Sequence, residues 1–523
     1  MIILSFKPGH DGHISCIENC ELKFSYEAEK DSRPRYAPIS AELLIESLSA
    51  ISEFPDVVAL SGWSVGLDPR GPKIGAGYLG IEPPIRSEIN LLGRRTTLVT
   101  SSHERSHLMC AYGMSPFPQG QPCYALVWEG HIGAFYRIDE DVQITKLCDV
   151  ISDPGIRYAF AYGVAESSFA LRKGQVRLGD AGKMMALAAF GRRSRRTYSE
   201  DAFIKKLLRP GYGFESLDKL DFQSSPYFNI GVDSLIFKEM AGHLSDAIYN
   251  TFFECIRPFV NENAPLLISG GCGLNCDWNS SWLNCGLFSD VFVPPCPNDV
   301  GSAIGTAIDA QHYLTGNAKI EWSVYAGQTF NDDVEGINGF VLSEMQVSEV
   351  AEYLHRGEVL GWVQGRAEIG PRALGNRSIL AAPFSPQMQV RINSIKRREN
   401  FRPVAPICLE DAANEYFWLT RPSPHMLYFS RVKDRKLEAV THVDGSARPQ
   451  TVNAQQNAPM HALLSAFRSK TEYGVLCNTS LNFSGAGFIN RTSDLGRYAT
   501  ENDLDGFVVN NKLYRKKTLA VIE

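Results

Sequence analysis

The sequence has no CxxC pair, no tight cysteine framework and no apolar run approaching a membrane span. Its twelve cysteines are scattered, and the spacings of Cys16 to Cys20 and Cys272 to Cys276 are weak as metal spacings. The apolar start, residues 1–6, is cut short by Lys7-Pro8-Gly9, which leaves no signal-peptide core. Reduced thiols, no membrane insertion and a cytoplasmic location are therefore expected. There is no excess of positive charge: the formal net charge is -6, which argues against a dedicated nucleic-acid binder while leaving room for a local basic pocket. Internal repeats and low-complexity segments are also missing. What remains is a globular composition, 44% hydrophobic and 21% charged, and at 523 residues the chain is too long for one ordinary core.

Residues 1–6 read as a strand, and 14–18 and 22–26 as two more, joined by Asn19-Cys20-Glu21 as a hairpin turn. Helical patterns follow near 41–51, 103–112 and 234–259. Further strands are expected at 57–61, 97–100, 124–128, 266–269 and 291–293. Strands alternating with helices predict an α/β domain. Periodicity fades over 317–345, which places a boundary there and predicts domains at 1–335 and 346–523, the second again α/β.

The chain is organised around residues 364–403. The apolar run 359–363 reads as a buried strand leading in. From Gly365 to Arg377, thirteen residues hold three glycines, a proline and three arginines. That composition makes a loop of tight backbone turns. Arginines on such a loop suit bidentate capture of phosphate or carboxylate. A solvated basic loop is the plain alternative, but it has no need for so many positions that let backbone approach a ligand.

Other constellations carry chemistry. His103-Glu104-Arg105-Ser106-His107 puts two histidines at i and i+4 on one helix face, where they can share a metal. The same string is the HExxH of zinc proteases. Against that reading, Arg105 stands inside the motif and no third ligand follows at short spacing. Two surface histidines are the plain alternative. Asp299 follows a Pro-rich strand exit and precedes a Gly-rich helix; it could complete a metal site, or simply cap the helix, a role Asn298 could take instead. Gly270-Gly271-Cys272-Gly273-Leu274-Asn275 ends a strand in glycines and suits close approach to a nucleotide, without being a Walker A loop. Glu129-Gly130 reads as a turn at a strand end. His10, beside Asp11, has the chemistry of a general base at neutral pH, and His13 is a second candidate; a hydrogen-bonded turn histidine is the bland reading.

The string GRAEIGPRALGNRSIL at 365–380, followed by IKRRENFRPVAP at 395–406, resembles the signature of the antibiotic and nodulation-type O-carbamoyltransferases. The likeness extends over nearly the whole chain. Lys7-Pro8-Gly9-His10-Asp11-Gly12 and Glu27-Ala28-Glu29-Lys30-Asp31-Ser32 resemble the cephem hydroxymethyl carbamoyltransferases more than the nodulation type. The resemblance implies an α/β protein with an actin-like nucleotide-binding N-terminal domain, as in tRNA threonylcarbamoyl-transferring enzymes, and a YrdC-like C-terminal domain. The opening strand, polar turn and hairpin are also how actin and sugar-kinase folds begin. It implies that carbamoyl phosphate and ATP form carbamoyl-adenylate, and that the carbamoyl group passes to a hydroxyl of a small molecule. It implies a divalent metal (iron, manganese, magnesium or zinc) held by His103, His107 and Asp299. Glu129 stands where the family usually has aspartate, so direct and water-mediated ligation both stay open. His10 would be the transfer base, with Gly270, Gly271, Asn275 and Lys183 on the nucleotide side. Arg372, Lys396, Arg402, Arg448, Asn478 and Ser480 would hold carbamoyl phosphate, cations on the phosphate and neutral groups on the amide-like head. Neither a membrane nor nucleic acid is an expected partner, and a homodimer is left open. The rival readings are a tRNA threonylcarbamoyl-type enzyme, a zinc protease and a nucleotide-binding regulator without turnover.

Overall fold

A computed structural model describes residues 1–65, 69–169, 171–191 and 195–517. The chain forms two compact units: Met1–Lys7, Ser15–Leu22 and Ile51–Trp322 make the first, and Pro8–Ile14, Lys23–Ala50 and Ser323–Glu523 make the second. Two N-terminal segments thus belong with the C-terminal half.

In the first unit, the strands Ile2–Lys7, Val57–Ser61 and Arg94–Ser101 pair in parallel, with Ile85–Leu91 antiparallel at the edge. The hairpin turn is Asn19-Cys20 alone; both residues have positive φ, 51° and 67°, the two-residue turn that matches strand twist. A second sheet runs in the order Ile144–Asp149, Gly133–Ile138, Cys123–Trp128, Leu266–Ser269, Val291–Phe292. Between the sheets lie two helices packed on each other: Ser302–Thr315 against the first sheet and His103–Met114 against the second. Their close approach depends on Gly305, where a Cβ would stand 1.8 Å from the carbonyl oxygen of Ser106. The strands expected at 57–61, 97–100, 124–128 and 266–269 are all present. The sequence reading passed over Ile85–Leu91 because its residues are mostly exposed and polar, as suits an edge strand.

The second unit is built on an eight-stranded mixed sheet: Phe340–Glu344, Lys512–Lys516, Gly506–Val509, Leu360–Val363, Arg377–Ala381, Val475–Ser480, Ala405–Leu409, Gln450–Val452. Helices Val347–His355 and Ala458–Thr471 pack together in its apolar core, which also takes Trp362, Leu463 and Phe507. The organising loop, 364–376, joins two neighbouring strands of this sheet. Both units are α/β, as the alternation of elements predicts.

Candidate functional site

His103 opens its helix behind the cap Ser102, whose hydroxyl accepts from the Arg105 N–H at 3.0 Å. One turn on, His107 faces the same way. Glu129 follows the strand Cys123–Trp128, and Asp299 starts the turn that feeds the helix Ser302–Thr315. All four side chains are buried and turn toward one point. Nε2 of His103 lies 3.2 Å from Nε2 of His107, 3.3 Å from Oε2 of Glu129 and 3.6 Å from Oδ1 of Asp299. Nε2 of His107 lies 3.4 Å from the same Glu129 oxygen and 3.5 Å from the same Asp299 oxygen. Four donors about 2.1 Å from a tetrahedral ion stand about 3.4 Å apart. The observed spacings fit that figure, so the residues present suit a divalent metal. The two-imidazole, two-carboxylate set does not choose among iron, manganese and zinc, and its two imidazoles weigh against magnesium, which prefers oxygen ligands.

Surrounding residues orient three of the four donors, while Nδ1 of His103 is buried with no hydrogen-bond partner among the described residues. The Ser269 hydroxyl reaches the Pro297 carbonyl at 3.3 Å and lies 3.0 Å from Nδ1 of His107. With its proton committed to Pro297, its oxygen accepts from Nδ1–H, which turns Nε2 toward the cluster. Tyr78 donates to Oε1 of Glu129 at 2.5 Å, so Oε2 is the oxygen turned inward. The Lys7 ammonium lies 3.4 Å from Oδ2 of Asp299, and Oδ1 is turned inward. Burial pushes both carboxyls up, but His103 on Glu129, and His103 with Lys7 on Asp299, outweigh it and hold both below the usual carboxylate range. Burial drives His103 down. For His107 the two carboxylates overcome burial and raise it to about 10.

The HExxH reading fails on geometry. Glu104 points away from the cluster: its Oε2 accepts from the Gly80 N–H at 2.7 Å, and its Oε1 is held by Tyr136 and by Lys146, the latter at 2.8 Å. It has no access to a metal-bound water. Arg105 makes a buried two-pronged ion pair with Asp309 at 2.8 and 2.9 Å, which accounts for an arginine inside the motif. Helix capping is not the role of Asp299 either, since its carboxylate is committed to the cluster.

The glycine loop lies beside this cluster. Gly270 has φ of 92°, and a Cβ there would stand 2.4 Å from the Trp128 carbonyl oxygen. Gly271 has open space around it. Asn275 caps the helix Cys276–Asn284 through its oxygen, while its Nδ2 is buried with no partner among the described residues. Lys183 pairs with Asp180 at 3.2 Å within its own helix.

In the second unit, the three arginines of the organising loop divide by role. Arg377 is fully buried and donates to backbone carbonyls and Asn490; Arg366 donates to the carbonyls of Gly327, Lys23 and Ala326. Both pin the loop. One oxygen of Glu368 collects the N–H groups of Leu374, Asn376 and Arg377 at 2.7, 2.7 and 3.1 Å. Arg372 is half-buried on this frame. Its neighbour Ala373 accepts from Asn478 at 3.1 Å. Lys396 directs its side-chain nitrogen to Ser480 O, Asn482 O and Asn482 Oδ1 at 2.5, 3.1 and 2.6 Å, so its donors are already committed. The Ser480 hydroxyl donates to the same Asn482 oxygen at 2.6 Å. Burial, with the charges of Arg398 and Arg402, holds Lys396 well below the usual lysine range. Burial likewise lowers Arg398, together with Arg402 and Arg448. Arg402 is offset by Glu399 at 3.8 Å, and Nε of Arg448 is buried without a hydrogen-bond partner among the described residues. Such crowded cations make a site for an anion. His10 also belongs to this unit, its ring stacked on Tyr36 at 4.7 Å and 36% of its side chain exposed, whereas His13 is fully buried with Nδ1 3.1 Å from the Asp11 carbonyl oxygen.

Comparison with known proteins bears on both sites. Residues 91–308 match the family described as carbamoyltransferase N-terminus, and 351–516 the one described as carbamoyltransferase C-terminus. The chain is 46% identical over 518 residues to a 3'-hydroxymethylcephem-O-carbamoyltransferase of Amycolatopsis lactamdurans, covering 99% of each chain. The enzyme of the same name from Streptomyces clavuligerus is 45% identical over 520 residues, again 99% of each. Nodulation protein U of Rhizobium tropici is 33% identical over 574 residues, 99% of this chain and 97% of that one. The chain belongs to the carbamoyltransferase family.

Among solved structures, an archaeal actin homolog gives a TM-score of 0.30 at 10% identity, covering 60% of this chain and 100% of that one; so low a score carries no weight. In this carbamoyltransferase, His103, His107, Glu129 and Asp299 fall within the N-terminus match, and all six expected carbamoyl phosphate residues within the C-terminus match. His10 precedes both. Sequence reasoning missed Lys7, Tyr78, Ser269 and Arg398. Ser269 and Arg398 could have been found, one at the strand end before Gly270 and the other inside the basic string. Lys7 stands in the string Lys7-Pro8-Gly9-His10-Asp11-Gly12, which assigns it no role, and Tyr78 carries no local signal.

Proposed function

We propose that this carbamoyltransferase makes carbamoyl-adenylate from carbamoyl phosphate and ATP and transfers the carbamoyl group to the hydroxymethyl group of a cephem-type acceptor. The observation that carries the reading is identity near 46% along the full chain to 3'-hydroxymethylcephem-O-carbamoyltransferases. The proposed division of labour gives activation to a YrdC-like second part, about 346–523, and transfer to an actin-like first part, about 1–335.

Arg372, Arg398, Arg402 and Arg448 would hold the phosphate of carbamoyl phosphate, with Asn478 and Ser480 reading its amide-like head. Water first cleaves carbamoyl phosphate to carbamate and inorganic phosphate; a carbamate oxygen then attacks the α-phosphorus of ATP, and pyrophosphate leaves. Gly270, Gly271 and Asn275 would receive the nucleotide, with Lys183 adding charge. His103, His107, Glu129 and Asp299 would hold a divalent metal, which when bound supplies a Lewis acid for phosphate or carbonyl oxygen. His10 would take the acceptor's hydroxyl proton as the oxygen attacks the carbamoyl carbon. Buried walls around the cluster exclude water that would hydrolyse the intermediate.

The test is pyrophosphate release from ATP, with and without carbamoyl phosphate, followed by mass analysis of a 3'-hydroxymethylcephem offered as acceptor. Release that depends on carbamoyl phosphate and is lost in Arg372→Ala, with a carbamoylated product, is expected. Release with threonine and bicarbonate instead would overturn the reading in favour of a tRNA threonylcarbamoyl-type enzyme.

A further inference from the structure

Lys7 ends the first strand and is fully buried. Its ammonium sits 3.4 Å from Oδ2 of Asp299 and 3.4 Å above the ring of Trp63. Asp299 is thereby divided, with Oδ2 on a cation and Oδ1 toward His103 and His107. Glu129 is divided in the same way by Tyr78. A carboxylate binds a metal through one oxygen or chelates through two; a cation fixed on Oδ2 leaves one. The charge has a second effect. Two neutral imidazoles and two carboxylates would neutralise a bound dication, and Lys7 adds one positive charge in surroundings that water and salt do not screen.

We propose that Lys7 restricts Asp299 to a single metal-facing oxygen and leaves the loaded centre with a net positive charge, so that the centre takes a phosphate-type oxyanion as a further ligand. This rests on the quartet being a divalent-metal site. A lysine that merely braced Asp299 would have the opposite signature: its removal would loosen the metal, as loss of an outer-shell partner ordinarily does.

The experiment measures Mn²⁺ affinity and the absorption of the Co²⁺-loaded full chain, for wild type, Lys7→Met and Lys7→Gln. Methionine keeps the apolar stem under Trp63. Lys7→Met should bind Mn²⁺ about tenfold more tightly, an effect of the size outer-shell partners command. Its Co²⁺ bands should weaken as Asp299 chelates, and inorganic phosphate at a concentration that saturates the wild-type response should no longer shift them. Lys7→Gln separates the two effects: it keeps a donor on Oδ2 but not the charge, so the band intensity should persist while the phosphate response is lost. Unchanged or weaker Mn²⁺ binding in Lys7→Met, or a phosphate response that survives in either variant, overturns the proposal. A wild-type chain that binds no Mn²⁺ or Co²⁺ overturns the metal reading itself, a result distinct from either.

Discussion

Arg377→Met tests whether the organising loop owes its shape to a buried cation. The guanidinium donates to Gln364 O at 2.9 Å, Asn376 O at 2.8 Å, Gly365 O at 3.0 Å, Gln328 O at 3.3 Å and Asn490 Oδ1 at 2.8 Å. Hydrogen bonds from a charged donor are each worth about 1.5 kcal/mol at the low end. Against these five stands the cost of burying the charge, which pushes Arg377 below the usual arginine range to about 10, or about 3 kcal/mol. A net loss of about 4 kcal/mol follows when methionine keeps the stem and removes every donor. For a unit of this size that is a fall of about 10 °C in its melting transition, read by calorimetry on the full chain. Lys, with three donors and no fork, should recover only part of it. A shift below about 3 °C for Arg377→Met, which corresponds to roughly 1 kcal/mol, would refute the reasoning. It would mean that the carbonyls find other donors and the loop is held by Glu368 alone.

Other consequences can be checked directly. Glu104→Gln should lower stability by about 1–2 kcal/mol while leaving metal stoichiometry unchanged, measured by metal analysis after dialysis; loss of the metal would show that Glu104 faces the cluster after all. Burial pushes the Glu27 carboxyl up to about 7, against its ion pair with Lys30 at 3.1 Å. Between the ordinary 4.5 and 7 the folded chain keeps a proton that the unfolded chain has released. This contribution to stability is therefore complete below 4.5 and lost by about 7, a fall of about 3 kcal/mol. Melting temperatures across that window should decline in the wild type and stay flat for this term in Glu27→Gln. Gly305→Ala should cost about 3 kcal/mol or more, because the added methyl meets the Ser106 carbonyl and must part the two central helices; a soluble variant with wild-type melting would show that the helices slide at no cost.

Much of this protein was settled by local chemistry, and there the sequence was enough. Alternating apolar runs gave the α/β class and placed strands such as Val57–Ser61 and Leu266–Ser269. The spacing of His103 and His107 puts both on one helix face. The long basic signature gave the family. What the sequence could not give was any pairing across distance. His103, Glu129 and Asp299 converge only because a helix from one position, a strand end and a later turn are brought together by parallel pairing and by two helices packed at Gly305. Nor could it sort the arginines of 364–377, which are alike in sequence. Arg366 and Arg377 spend their donors on carbonyls that surround them in the fold. Lys7 is the extreme case: in sequence it is the residue that breaks an apolar start, and in the fold it is a buried charge on a metal-facing carboxylate. Periodicity reports how one segment meets the core. Which charges meet there depends on how the segments pack.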